Sequence, residues 1–362
     1  MSTRNAARSV EVSRLVPIVG VVAVAGILSV VLWVVFRGEP VVRAPVTPLP
    51  SPSPIPSETF ELEQVGSGAV RGWAMSEALV GPRDVAVDAD GTVWITEQNR
   101  GVVDTFADGT LERHLTNEFP GTGAYGLAAG PGGMWFTAYP GGTIGRVLDD
   151  GTANVFDAVV DYAATLGIAE GPGHVMWVTD VHRSVVLRIR ADGDVRQLPV
   201  PPVGKYAAAP RDIVRGSDGA MWFTDPRTRT IGRIATEGQP RIDQYPMVGV
   251  PSSIASGPDG SLWVTLLKTR SLGRVDVSDG SVDVIPLVDA TGAPSNLAVG
   301  DDGSIWVTQA SREVLHVGMD GTTIARYRLP GGATYADGIA IAPDGVVWVA
   351  ASDANMIVAI RP

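Results

Sequence analysis

Seven tryptophans recur along the chain at positions 94, 135, 177, 222, 263, 306 and 348, spaced by 41, 42, 45, 41, 43 and 42 residues. Each stands in the same frame: VWITE, MWFTA, MWVTD, MWFTD, LWVTL, IWVTQ and VWVAA. A short apolar run (DVAV, GLAA, GIAE, DIVR, SIAS, NLAV or GIAI) and a glycine turn such as DADG (88–91) or APDG (342–345) precede the Trp. A second apolar run follows it, as in TIGRV (143–147), VVLRI (185–189), TIGRI (230–234) and SLGRV (271–275), and ends in another Asp-Gly or Glu-Gly turn. Self-similarity at this period marks a repeat architecture. Each unit reads as four strands of roughly 4–6 residues, rich in Val, Ile and Thr, joined by turns that need a residue with positive φ. One such unit cannot bury both of its faces. Seven arranged radially can, with each Trp filling the gap between neighbours, which makes an all-β, seven-bladed β-propeller.

The ends fit a closed ring. The seventh repeat stops at MIVAIRP, its third strand, and ETFELEQV (58–65) resembles a fourth strand that lacks its first three. The expectation is that 58–65 completes the last blade and that Trp73 belongs to the lead-in. The ring then occupies 58–362 as one domain, expected to be monomeric.

The first 57 residues have a different character. Residues 15–36, LVPIVGVVAVAGILSVVLWVVF, carry no charge. As a helix they would span ~33 Å, enough for a bilayer core of ~30 Å. Arg4, Arg8 and Arg14 precede them, opposed only by Glu11, so the positive-inside rule puts residues 1–14 in the cytoplasm and the ring outside. A cleaved signal peptide fits less well: the apolar run is too long, and Pro45 follows the best cleavage candidate, Val42-Arg43-Ala44. Residues 37–57 hold seven prolines and read as a polyproline stalk. The expected arrangement is a single-pass membrane protein whose propeller is presented outside the cytoplasm.

Composition narrows the chemistry. There is no Cys, which removes disulfides, thiolate metal sites and Cys nucleophiles. The net charge is −11, with Lys205 and Lys268 the sole lysines, an unsuitable balance for nucleic acid. The acidity lies in the ring: residues 1–57 hold five Arg and two acids, leaving 23 basic and 37 acidic residues in 58–362, a charge of −14.

Strand order predicts which residues converge. The start of each first strand and the end of each second strand meet on the face opposite the Asp-Gly turns. The first-strand candidates are Arg83, Asp84, Tyr125, Arg211, Asp212, Asn296 and Asp337. The second-strand candidates are Glu97, Asp180, Asp225 and Gln309, with His182 close behind. Carboxylates and amides on a common axis suit a small ligand or a hard cation, Mg²⁺ or Ca²⁺. No compact Asp-rich loop reinforces a metal site, and strand-end capping accounts for the same residues. The recurring Arg146, Arg188, Arg233 and Arg274, with His316 in the same slot, read as cover for the blade flanks. With only His182 near the mouth, a mechanism using two histidines is not available.

The repeat P-x-[GSD]-[IL]-A-x-G-P-D-G-x-x-W-[FV]-T followed by I-G-R-[IV], clearest in GSDGAMWFTDPRTRTIGRIATEG (216–238), resembles the virginiamycin B lyase family of seven-bladed propellers. The resemblance covers about residues 80–362. It implies Mg²⁺-assisted elimination across the ester of a cyclic depsipeptide, worked by a His in the penultimate blade, a Glu-Pro-His at the start of the last, and a Glu after the last Trp. Those positions fall at Ser295, Tyr335, Asp337 and Ser352, and all four are changed. Three functions stay open at this point: a module binding a small molecule at the mouth, an enzyme (a lyase or a metal-dependent, lactonase-like hydrolase), and a rim that docks a cell-envelope protein.

Overall fold

The computed structural model describes residues 58–66, 68–75, 81–99, 101–114, 123–157, 163–288 and 290–362. The expected span 15–36 and stalk 37–57 lie outside the described residues. No helix among those described is long and apolar enough to cross a membrane.

Seven antiparallel sheets are present among the described residues, one per tryptophan repeat. The first blade runs outward from Pro82–Val87 through Val93–Glu97 and Val102–Ala107 to Thr110–His114. The next five blades repeat this order, beginning at Gly123–Gly130, Thr165–Gly171, Ile213–Arg215, Pro251–Ser256 and Pro294–Val299. The seventh starts at Ile339–Ile341, and its innermost strand lies beside that of the first blade, closing the ring. Within each blade the strands are joined by tight turns whose glycines hold positive φ, for example Gly91 at 91° and Gly345 at 82°, a conformation Gly adopts without steric cost.

Closure differs from the sequence expectation. The fourth strand of the last blade is Val70–Ala74, paired with Met356–Ile360 from Val70↔Ile360 to Ala74↔Met356. The stretch 58–65 is divided instead: Glu58–Glu61 adds a fifth strand to the outer edge of the first blade, and Glu63–Val65 a fifth to the seventh. The physical reason is Trp73. Its ring packs 5.0 Å from Phe106 of the first blade and 5.6 Å from Trp348 of the seventh, so the strand that carries it seals the seam. Trp73 is a blade residue, not lead-in.

The repeat tryptophans fill the gaps between blades, as the pattern requires. Trp135 packs with Ile168, Met176 and Val178 of the third blade, Trp222 with Ile254 and Val264 of the fifth, and Trp306 with Val347 and Val349 of the seventh.

The threonine two places after the Trp in the first six blades has an equally regular task. Thr137 Oγ1 accepts the N–H of Gly126 in its own blade at 2.9 Å and donates to the carbonyl of Leu166 in the next at 2.7 Å. Thr96, Thr179, Thr224, Thr265 and Thr308 repeat both bonds, reaching Tyr125, Arg211, Ser252, Ser295 and Asp337 of the following blade. These hydroxyls are buried and satisfy backbone groups that a register shift near the start of the innermost strand would otherwise strand. The belt of threonines sets the geometry of the mouth, because the same shift turns the first-strand candidates into the tunnel.

Candidate functional site

A cavity of about 210 Å³ opens at this mouth, on the axis of the ring. Arg83, Asp84, Tyr125, Arg211, Asp212, Asn296 and Asp337 all line it.

The second-strand candidates do not. Glu97, Asp180, Asp225 and Gln309 are fully buried inside their blades. Glu97 accepts from Arg113 at 3.0 Å, and Arg113 also meets Asp104 at 3.4 Å. Burial, then the neighbouring Glu97, pushes the Asp104 carboxyl well above the usual carboxylate range. Asp180 caps a turn by accepting the N–H groups of Ala164, His182 and Arg183 at 3.1–3.2 Å. Asp225 does the same for Ala209, Arg227 and Thr228, and Gln309 accepts from Gly292. The reason is register. Glu97, Asp180 and Gln309 pair directly with Pro82, Thr165 and Pro294, and the shift that swings the next two first-strand residues inward leaves the second-strand ends behind. His182 is exposed and stands outside the cavity lining, its ring 6.2 Å from Tyr139, which is 5.9 Å from Tyr125. Tyr139 is the last residue of the second strand of its blade, Gly133–Tyr139, and nothing in its repeat frame marked it.

The four positions singled out by the family resemblance do converge. Asp337 accepts from Arg83 through one carboxylate oxygen and from the Ser352 hydroxyl through the other. Arg83 also donates to the Tyr125 hydroxyl, its guanidinium carbon 4.4 Å from the ring centroid. Asn296 Nδ2 donates to the Asp337 carbonyl at 2.9 Å, and Ser295 Oγ lies 3.3 Å from the Tyr335 hydroxyl. Burial works against the charged form of Arg83, but Tyr125 and Asp337 outweigh it, so the guanidinium is held even more firmly protonated than usual. One network therefore ties blades one, two, six and seven together at the mouth.

Asp84 and Asp212 occupy equivalent places in the first and fourth blades. Asp84 accepts the N–H groups of Val85 at 2.9 Å and of Leu127, in the next blade, at 3.0 Å; Asp212 accepts from Ile213 and Ile254 at 2.9 Å. Both are staples between blades. Burial pushes the Asp84 carboxyl up to about 7 and raises that of Asp212. Arg211, by contrast, makes no side-chain hydrogen bond or ion pair among the described residues while lining the cavity.

The donor set does not fit a divalent cation. Among the described residues no three His, Asp or Glu side chains are grouped to hold one. At the mouth Asp337 already faces a guanidinium, and Asp84 and Asp212 are spent on backbone N–H groups. A hard cation needs several free oxygen ligands. An elimination needs a base at the substrate proton and a partner for the enolate; the converging positions offer hydroxyls and a carboxylate committed to an ion pair, with no imidazole.

The virginiamycin B lyase family model matches residues 69–360. A virginiamycin B lyase of Nocardia farcinica is 32% identical over 169 residues, 47% of this chain and 57% of that protein, so the match spans little more than half of the relative. A streptogramin B lyase structure superposes with a TM-score of 0.74 at 25% identity, covering 82% of this chain and 99% of the other. A catalytically inactive virginiamycin B lyase from Staphylococcus aureus, solved with quinupristin, gives 0.73 at 25% identity, covering 81% and 99%.

Proposed function

The chain belongs to the virginiamycin B lyase family, and on that premise we propose that it acts by binding a small polar ligand at the propeller mouth, without depsipeptide cleavage, from a membrane tether that holds the ring outside the cytoplasm. One observation carries the proposal: Arg83, Asp337 and Ser352 lock each other across the cavity wall, while Arg211 lines the same cavity with no side-chain hydrogen bond or ion pair among the described residues. A half-buried guanidinium whose N–H groups are not engaged by other side chains is a ready donor to a carboxylate. Tyr125 and Asn296 add hydroxyl and amide groups within the same lining. The replacement of every family working position supports binding over catalysis. The charge-free run 15–36 and the proline-rich 37–57 support the tether.

The test is a thermal-shift titration of the full chain with malonate, paired with incubation with quinupristin followed by chromatography and tandem mass fragmentation. The expected results are a Tm that rises with malonate, a rise lost in Arg211→Ala, and an unchanged retention time and fragmentation pattern for quinupristin, since elimination would open the ring without changing its mass. Hydration or ring opening of quinupristin would overturn the proposal, as would a malonate response that survives Arg211→Ala.

A further inference from the structure

A larger cavity, about 420 Å³, lies at the opposite end of the seam between the seventh and first blades, beside the Asp108-Gly109 turn. That volume is within the range of small-molecule pockets, which pair apolar and aromatic walls with a few polar groups. Its aromatic wall is Trp73, Trp348 and Phe106, with ring centroids 5.0–5.6 Å apart.

The repeat is broken there, as it also is in the first blade, where Thr105 opposes Trp94. In blades two to five the third-strand residue paired with the repeat Trp is an arginine: Arg146, Arg188, Arg233 and Arg274 oppose Trp135, Trp177, Trp222 and Trp263. In the sixth, His316 opposes Trp306. Three of these flat groups lie on the indole: the His316 ring is 4.3 Å from Trp306 at 9°, and the guanidinium carbons of Arg146 and Arg233 are 5.2 and 5.8 Å from their Trp rings. In the seventh blade the residue opposite Trp348 is Ala359. The fourth-strand aromatic that accompanies the Trp elsewhere (Phe156, Tyr245, Tyr327) is present as Trp73. The flat third-strand group is missing, and Trp348 remains partly exposed, as does Trp94 of the first blade, where the other five are at most 2% exposed.

Charge indicates what fits. Arg71 pairs in register with Ala359, next to the vacated slot. It makes no ion pair among the described residues, and Arg361 reaches only Asp344, at 3.9 Å. Both arginines line the cavity, against the single acid Asp108. In a ring of charge −14, this is a local positive rim around an aromatic wall. We infer that the seam cavity binds a planar aromatic carboxylate, its ring taking the place on Trp348 that Arg146, Arg233 and His316 take on the Trp of their own blades, and its carboxylate pairing with Arg71 and Arg361. The site is on the face away from the mouth and does not depend on ligand binding there.

The test is isothermal titration of the full chain in nanodiscs, blanked against empty nanodiscs, with indole-3-acetate, indole, tryptamine and glucuronate. Indole-3-acetate is expected to bind best, with tryptamine at least about tenfold weaker, given the strength of hydrogen bonds to charged groups. Arg71→Ala with Arg361→Ala is expected to reduce indole-3-acetate to the level of indole. Ala359→Arg, which restores the repeat residue, is expected to abolish binding while the melting temperature is kept, separating a filled site from a misfolded ring. Arg241→Ala, on the exposed outer strand of the fourth blade, is expected to leave binding unchanged. Affinity for indole-3-acetate weaker than about 1 mM overturns the inference. So does binding that survives Ala359→Arg, or tighter binding of tryptamine or glucuronate.

Discussion

Arg83 of the first blade forms an ion pair with Asp337 of the seventh, so the contact that spans the seam of the ring is also part of the wall of its mouth. Chain positions 254 residues apart are joined there. Gly338, next to Asp337, approaches so closely that a Cβ would overlap Asp84. Its N–H also bonds the Arg83 carbonyl at 3.0 Å. The seam is locked at both side-chain and backbone level.

Removing one partner of this pair should cost more than removing both. Asp337→Ala leaves a largely buried guanidinium, 16% exposed, without its counter-charge, and a loss of about 3 kcal/mol is expected. The double variant with Arg83→Ala should recover part of that loss. Urea denaturation of the four proteins in a double-mutant cycle checks it; additive losses would exclude a coupled seam.

The threonine belt predicts a second effect, independent of any ligand. Thr137→Val keeps shape but strands the N–H of Gly126 and the carbonyl of Leu166 in a dry interface. Each unsatisfied group costs about 1–3 kcal/mol. The expected result is a midpoint of denaturation clearly lower than that of Thr110→Val, on an outer strand. Ala350 stands in the belt position of the seventh blade, where the N–H of Gly338 donates directly to the Arg83 carbonyl of the first blade at 3.0 Å, so the two groups a hydroxyl would bridge already satisfy each other. Ala350→Ser should therefore bring little gain.

Asp84 gives a pH dependence. Burial pushes its carboxyl up to about 7 in the fold, against about 3.9 for an unfolded chain. Between those values the folded protein retains a proton that the unfolded chain releases, so stability falls as pH rises through this window. The fall attributable to this group is at most about 1.4 kcal/mol per pH unit. Unfolding free energies measured from pH 4 to 7.5 should decline more steeply in the parent than in Asp84→Asn; parallel slopes would show that Asp84 ionises at its ordinary value.

The tether makes a prediction of its own. Deleting 15–36 is expected to move the chain from the membrane pellet to the soluble fraction without lowering the melting temperature of the ring. Full-length chain found in the soluble fraction would remove the tether from the proposed function.

The ring itself was legible before any coordinates. Tryptophan spacing, Asp-Gly turns and alternating apolar runs are local signals, and a radial stack is the arrangement that buries seven such units. The first-strand residues at the mouth were legible for the same reason, since they recur at one place in the repeat. The second-strand residues misled because a change of pairing register by one or two residues turns a side chain from the tunnel to the blade interior. Glu97, Asp180, Asp225 and Gln309 carry no local mark of that shift.

What the sequence determined by itself is what repeats: blade number, turn positions, the Trp between blades and the acidity of the ring. The tertiary structure decided what happens once. It assigned Val70–Ala74, not 58–65, to the closing strand, paired Arg83 with Asp337, and opened a cavity where Ala359 breaks the arginine pattern. Repetition averages local preferences into a visible period. A seam is a meeting of two chain ends, and its contacts depend on distances that no local pattern encodes.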